Sequence, residues 1–192
     1  MDKETRAISR LPPLNIEAAD PILASVFEDT LSRGGSVINL HLAVGHAPHI
    51  AKARRALANA LRNEATTSRL LREMIIMRTA QLLDGDYELN QHYPMALAAG
   101  ISQAQLDALK DWSKSDLFDA QQRAVLAYVD KVSDGGNVDD PTYEAFAQFF
   151  TAKEIVEITV TIVSYYANVL LTKALKIEVE KDGRVTALGK FD

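Results

Sequence analysis

The sequence contains no cysteine. That absence removes disulfides, thiolate nucleophiles, peroxidatic thiol chemistry and zinc-thiolate sites together. A basic excess is missing too: the formal net charge is -5 over 192 residues, which opposes a polyanion-binding surface and argues against nucleic acid as a partner. No glycine-rich phosphate loop, GxSxG elbow or HExxH pair occurs, so nucleotide, serine-hydrolase and zincin mechanisms have no support. Residues 1–13 are polar and mixed in charge, without an apolar stretch of the kind that directs secretion, which makes the cytoplasm the expected location. Residues 158–177 approach the length of a membrane span, but Thr159, Thr161, Ser164, Asn168, Thr172 and Lys173 interrupt them. A buried helix and no membrane partner are expected.

What is present suits a single domain with a substantial core, since 47% of the residues are hydrophobic. Residues 1–17 read as a leader, 18–66 as N-terminal helices, 67–178 as a core and 179–192 as an aperiodic tail, either a subunit-crossing arm or disordered. Asp20 before Pro21 opens a helix to about Ser32, which Gly34 and Gly35 break. Val37 to Val44 resumes an apolar helical run, and His46-Ala47-Pro48 turns into a helix from His49 to about Arg62. Thr67 or Ser68 caps the next helix, whose run Met74 to Met77 is apolar on every face and is expected at the centre. Asp84-Gly85-Asp86 interrupts it, and a helix from Tyr87 to Ala99, kinked by Pro94, ends at Gly100. Ser102 with Gln105, and Thr151 with Glu154, form capping boxes for a short helix to about Trp112 and a long one to about Ile177. Between them Ala120 to Val132 is amphipathic, and Asp140 before Pro141 is another cap-then-proline start. The fold class is therefore all-α, with eight or so helices and no sheet.

Glu88 and His92 stand four apart, about 40° round a helix, so their side chains can touch. Leu89, Tyr93, Ala96 and Leu97 surround His92 at helical spacing, which turns the histidine inward. On spacing alone, a core histidine or an ordinary helix ion pair is the commoner explanation. Glu73 lies on a stripe with Ile76, Met77, Ala80 and Leu83, where a carboxylate must be neutral, paired or functional; Arg72 and Arg78 are its candidate partners. Glu157, Thr161, Ser164, Asn168 and Thr172 form one polar stripe on the last helix, lining a pocket or marking the solvent edge, with the Tyr165 and Tyr166 hydroxyls beside it. His41, His46 and His49 straddle Gly45 and Pro48 at spacings unlike a metal-binding pair, so they read as cap and packing residues, with no metal expected.

The stretch from Leu71-Arg72-Glu73-Met74 through Gln81 to His92, continuing to Ala96-Leu97-Ala98-Ala99-Gly100, resembles the core motif of the carboxymuconolactone decarboxylase and alkylhydroperoxidase D-like superfamily. Ala124 to Val129, Phe149 to Ile155, Glu157 and Tyr165 to Asn168 look like the C-terminal half of its longer members, so the resemblance spans roughly residues 20–178. The peroxidase branch places a glutamate, then CxxC, then a histidine four residues beyond the second cysteine. These fall on Glu73, Gly85, Glu88 and His92. With glycine and glutamate at the cysteine positions a disulfide relay has no sulfur, which excludes peroxidase activity by that route. The decarboxylase branch instead carries a glutamate four residues before the histidine, the arrangement of Glu88 and His92. Glu73 and the additional N-terminal helices place the chain with longer relatives.

The resemblance implies an alkylhydroperoxidase D-like helical bundle with additional N-terminal helices, and a homo-oligomer, commonly a trimer or a dimer of trimers. It also implies a decarboxylase-type lyase without cofactor, acting on a small carboxylated lactone or ring-derived acid in aromatic-compound catabolism. Electrons released with carbon dioxide pass through the ring double bond to the lactone carbonyl, so the substrate is its own electron sink. His92, tuned by Glu88, would deliver a proton to carbon as general acid, and Glu73 would orient the histidine or shuttle the proton. Tyr165, Tyr166 or Asn168 would donate to the oxyanion, while Arg78 or a protonated glutamate would offset an anionic substrate. The same residues suit isomerisation, hydration or carbon-carbon lyase chemistry on a related intermediate. A non-catalytic oligomer that binds a small molecule is the remaining alternative.

Overall fold

Among the described residues, five helices begin where a side-chain oxygen accepts from the backbone N–H three residues on. These are Ser68 from Leu71 (3.2 Å), Ser102 from Gln105 (3.2 Å), Asp119 from Gln122 (2.8 Å), Asp139 from Thr142 (3.0 Å) and Thr151 from Glu154 (3.3 Å). The computed structural model describes residues 8–16, 20–32, 34–181 and 183. Among them the chain forms α1 (Pro21–Ser32), α2 (Asn39–Val44), α3 (Pro48–Asn59), α4 (Arg69–Leu82), α5 (Asp86–Ala98), α6 (Gln103–Ala108), α7 (Ala120–Ser133), α8 (Asp140–Ala147) and α9 (Ala152–Leu175), and no strand. A π-helical turn (Ala60–Glu64) extends α3 and a 3-10 turn (Leu109–Lys114) extends α6.

Three boundaries differ from the sequence expectation. The second helix starts at Asn39 rather than Val37, because Ile38 is extended and donates its N–H to the Nδ1 of His41 (3.4 Å). The third gives way to π geometry at Ala60, before Arg62. Asp139, not Asp140, caps α8, which places Pro141 at the second helical position where its missing N–H costs nothing. Gly100 ends α5 as expected: at φ 96° it donates to Leu97 O (3.0 Å), and Ile101 donates to Ala96 O (3.1 Å), the paired bonds of a Schellman cap.

The chain clusters into two compact units, with a boundary at Glu64–Ala65 beside the sequence division at 66/67. The first contains α1 to α3, the end of α9 from Leu171 and the described residues that follow it. Leu23, Phe27 and Ala51 form its core, with Leu14, Val26, Val37, Leu42 and Val44 packed around them. Glu180 Oε1 accepts from Asn39 N (2.7 Å), and Glu178 N donates to Ile8 O (2.9 Å), so the beginning of the tail is tied down. Residues 184–192, where the expectation of an arm or disorder chiefly falls, lie outside the described residues.

The second unit, Ala65–Leu170, is built around α4, in which every residue from Leu71 to Ala80 is buried. One side packs Leu71 and Ile75 against Val125 and Val129 of α7, Phe146 of α8, and Ile158 and Ile162 of α9. The other packs Met74 and Met77 against Ala96, Ile101, Leu106 and Leu109. Among the described residues, α9 is the one helix long and apolar enough to cross a membrane. The expectation of a buried helix holds for one face only: Ile158, Ile162 and Val169 are buried, whereas Val156, Val163 and Leu170 are at least half exposed (60, 55 and 50%).

Candidate active site

The turn Leu83-Asp84-Gly85 returns the chain from α4 to α5 so that the two helices pack along each other. Asp84 takes positive φ (50°), and Gly85 N–H closes back onto Ala80 O at 2.9 Å. A Cβ on Gly85 would stand 2.7 Å from Val169 Cγ2 and 3.0 Å from Val169 Cγ1, so only glycine lets α9 approach this turn. This is one of the two positions where the peroxidase branch would carry cysteine.

Packing of α4 on α5 brings Glu73 to His92. The Nδ1 of His92 lies 2.7 Å from Glu73 Oε2, and Arg69 lies 2.5 Å from Glu73 Oε1, so the two oxygens of one carboxylate are each engaged. Glu73 is 1% exposed, and His92 is also buried. Tyr165 of α9 presents an edge-to-face contact to the imidazole, with ring centroids 4.9 Å apart at 89°. Arg72 donates to Thr67 O, and its pKa is lowered first by burial and then by repulsion from Arg69, against the attraction of Glu157 and Glu73.

The sequence-predicted residues divide on this frame. Glu73, His92 and Tyr165 come together. Glu88 is buried on the same helix, with Oε2 beside Gly85, but among the described residues the hydrogen bond on the His92 ring goes to Glu73 rather than to Glu88. Pairing within the helix has given way to pairing between helices. The inward face of α5 is Tyr87, Glu88, Gln91, His92, Met95 and Ala96, while Tyr93 and Leu97, expected to flank the histidine, are exposed. Tyr166 and Asn168 are half-buried on α9, within three residues of Tyr165.

Arg78 is not brought to His92, a correction to its predicted role at an anionic substrate. Five residues past Glu73 on α4, its side chain leaves the helix about 140° away. There its Nε and one terminal nitrogen bond Asp130 at 2.6 and 2.9 Å, and the other bonds Lys110 O at 3.0 Å. Arg78 therefore clamps α4 to α7 and to the turn after α6. Glu73 pairs with Arg69 and is also attracted by Arg72, whereas the other expected partner, Arg78, is engaged by Asp130. Sequence reading missed Arg69, although its i, i+4 spacing to Glu73 was a usable signal.

The polar stripe of α9 is inward at Thr161 and Thr172, both buried. Its first member, Glu157, binds the loop before α4 by accepting from Thr66 N (2.9 Å), Thr67 N (3.0 Å) and Thr66 Oγ1. Desolvation raises the Glu157 pKa, but these bonds together outweigh it and the net shift is downward. His41 caps α2, and His46 Nε2 lies 3.0 Å from Pro12 O. Among the described residues, no three His, Cys, Asp or Glu side chains are grouped as metal ligands.

Residues 48–131 match the carboxymuconolactone decarboxylase family model, a span that holds Glu73, Glu88 and His92 but not Tyr165. No curated protein matches the sequence significantly. Among solved structures, an uncharacterized peroxidase-related protein with an alkylhydroperoxidase AhpD core, from Ralstonia eutropha JMP134, is 21% identical with a TM-score of 0.80, over 95% of this chain and 100% of that one. A peroxidase-related protein from Silicibacter sp. TM1040 is 20% identical with a TM-score of 0.75, over 93% of this chain and 95% of that one. The debrominase Bmp8, in complex with 2,3,4-tribromopyrrole, is 20% identical with a TM-score of 0.76, over 95% of this chain and 96% of that one. Residues 48–131 thus match the carboxymuconolactone decarboxylase family model, within an all-helical chain that is similar in fold to AhpD-like structures and devoid of cysteine.

Proposed function

We propose that this protein is an acid/base lyase of decarboxylase type, working without a cofactor on a small carboxylated lactone or ring-derived acid of aromatic catabolism. The observation that carries the reading is the buried Glu73–His92 hydrogen bond, 2.7 Å long, at a site without cysteine. A carboxylate on Nδ1 fixes the ring and leaves Nε2 as the atom that exchanges a proton with substrate. Loss of carbon dioxide leaves an electron pair delocalised onto the lactone carbonyl, and protonation of carbon by His92 completes the reaction. Tyr165, Tyr166 and Asn168 are the proposed donors to that carbonyl oxygen. Glu88 is the second acid of the site. Arg69 and Arg72, rather than Arg78, supply the positive charge that offsets an anionic substrate.

The test is incubation with a panel of lactone and aromatic-acid catabolites, followed by mass spectrometry and carbon dioxide detection. Turnover with carbon dioxide release, lost in His92→Ala, supports the proposal. Turnover without carbon dioxide would move the same residues to isomerase or hydratase chemistry, and folded His92→Ala and Glu73→Gln variants with full activity would overturn the acid/base site itself.

We also propose that the protein is a homo-oligomer. Val156, Val160, Val163, Ala167 and Leu170 recur at spacings of four and three along α9, the repeat of a helix seam that pairs with another helix. Glu157 is the one charged residue from Val156 to Leu170, and it is engaged by Thr66 and Thr67.

A further inference from the structure

The first turn of α4 contains Arg69 and Arg72 and no acidic residue. Cations there oppose the helix dipole, whose positive end is at the N-terminus. They also oppose each other, since Arg69 lowers the pKa of Arg72. An arginine held in that place needs a compensating anion, and Arg69 has one: its guanidinium meets Glu73 Oε1 at 2.5 Å, while Glu73 Oε2 faces His92 Nδ1 at 2.7 Å. The same guanidinium nitrogen touches Met95 Sδ at 3.6 Å, on the buried face of α5.

This arrangement constrains the proton on His92. Arginine stays charged under all ordinary conditions. Beside it, Glu73 is more stable as a carboxylate than as an acid, because protonation would strand the guanidinium against a neutral group at low exposure. A carboxylate only accepts, so the hydrogen between Glu73 and His92 resides on Nδ1. The charged groups of the cluster are Arg69, Arg72 and Glu73 from α4, the buried Glu88 from α5 and, attracting Arg72, Glu157 from α9, with Tyr165 contributing a ring edge from α9.

We infer that Arg69 is a positioning residue that holds Glu73 ionised and thereby keeps the hydrogen of the Glu73–His92 bond on Nδ1 of the ring. The inference rests on the reading that His92 handles the proton in turnover, which the fixed Nδ1 leaves to Nε2.

The experiment is long-range proton–nitrogen correlation NMR on full-length protein labelled with nitrogen-15 histidine. With four histidines in the chain, the His92 signals are identified by their loss in His92→Gln. The wild-type protein is expected to show a protonated Nδ1 on His92. Arg69→Met is expected to lose that Nδ1 proton signal, and Arg69→Lys to keep it. A wild-type ring with a pyridine-type Nδ1 overturns the inference without any variant. So does a folded Arg69→Met protein whose His92 spectrum is unchanged. Because the measurement uses no substrate, it stands or falls separately from the proposed reaction.

Discussion

His92 Nδ1 lies 2.7 Å from Glu73 Oε2, across two helices, and it is this bond rather than the one-turn neighbour Glu88 that orients the imidazole. Glu73→Gln is therefore expected to lower kcat by about 100-fold or more, within the range of general acid/base contributions. Glu88→Gln should cost less. Steady-state kinetics on an identified substrate decides the order, and equal losses would return Glu88 to the primary role.

Gly85 and Val169 stand too close for a side chain at position 85. Gly85→Cys places a Cβ 2.7 Å from Val169 Cγ2, and overpacking of this kind costs about 1–3 kcal/mol, read as a lower midpoint in urea unfolding. The double variant Gly85→Cys with Glu88→Cys, which recreates the CxxC spacing, should be less stable than wild type and should not form its disulfide without displacing α9. A double variant of wild-type stability would show that α9 yields easily.

Arg78 and Asp130 are expected to serve stability rather than substrate binding. Asp130→Ala leaves a largely buried guanidinium without its bidentate partner and should cost about 1–3 kcal/mol, with KM for the identified substrate unchanged. A variant with normal stability and a raised KM would restore the substrate-binding role.

His41 makes the fold sensitive to acid. Burial, with the nearby Arg55, Arg62 and Arg54, lowers its pKa from 6.5 to about 4. Between those values the unfolded chain binds a proton that the folded one refuses, so stability is complete above the unfolded value and falls as pH drops toward 4. The loss is at most roughly 3 kcal/mol, accumulating at about 1.4 kcal/mol for each step of one in pH between the two values. His41→Gln should flatten this part of the stability–pH curve in urea titrations, and an unflattened curve would place the sensitivity elsewhere.

The proposed oligomer depends on the outward face of α9. Val163→Glu changes a residue that is 55% exposed, so monomer stability should move by less than about 0.5 kcal/mol, while light scattering should show a smaller species. An unchanged mass would show that other surfaces hold the assembly.

Helix starts, stops and class were readable from residues 1 to 192 because the signals act within one turn. The capping boxes at Ser102 and Thr151 and the glycine stop at Gly100 bring together groups no more than five residues apart, and the structure reproduces them. The Asp139 cap was misread by one position because adjacent aspartates before Pro141 offer the same local chemistry. Glu73 and His92 were also visible as inward polar residues. Their pairing with each other, the diversion of Arg78 to Asp130, the recruitment of Arg69 and the edge contact of Tyr165 were decided by the packing of α4 against α5, α7 and α9. Sequence spacing sets the face from which a side chain departs, but the partner it meets depends on how separate helices cross, and that is settled by the fit of whole buried surfaces.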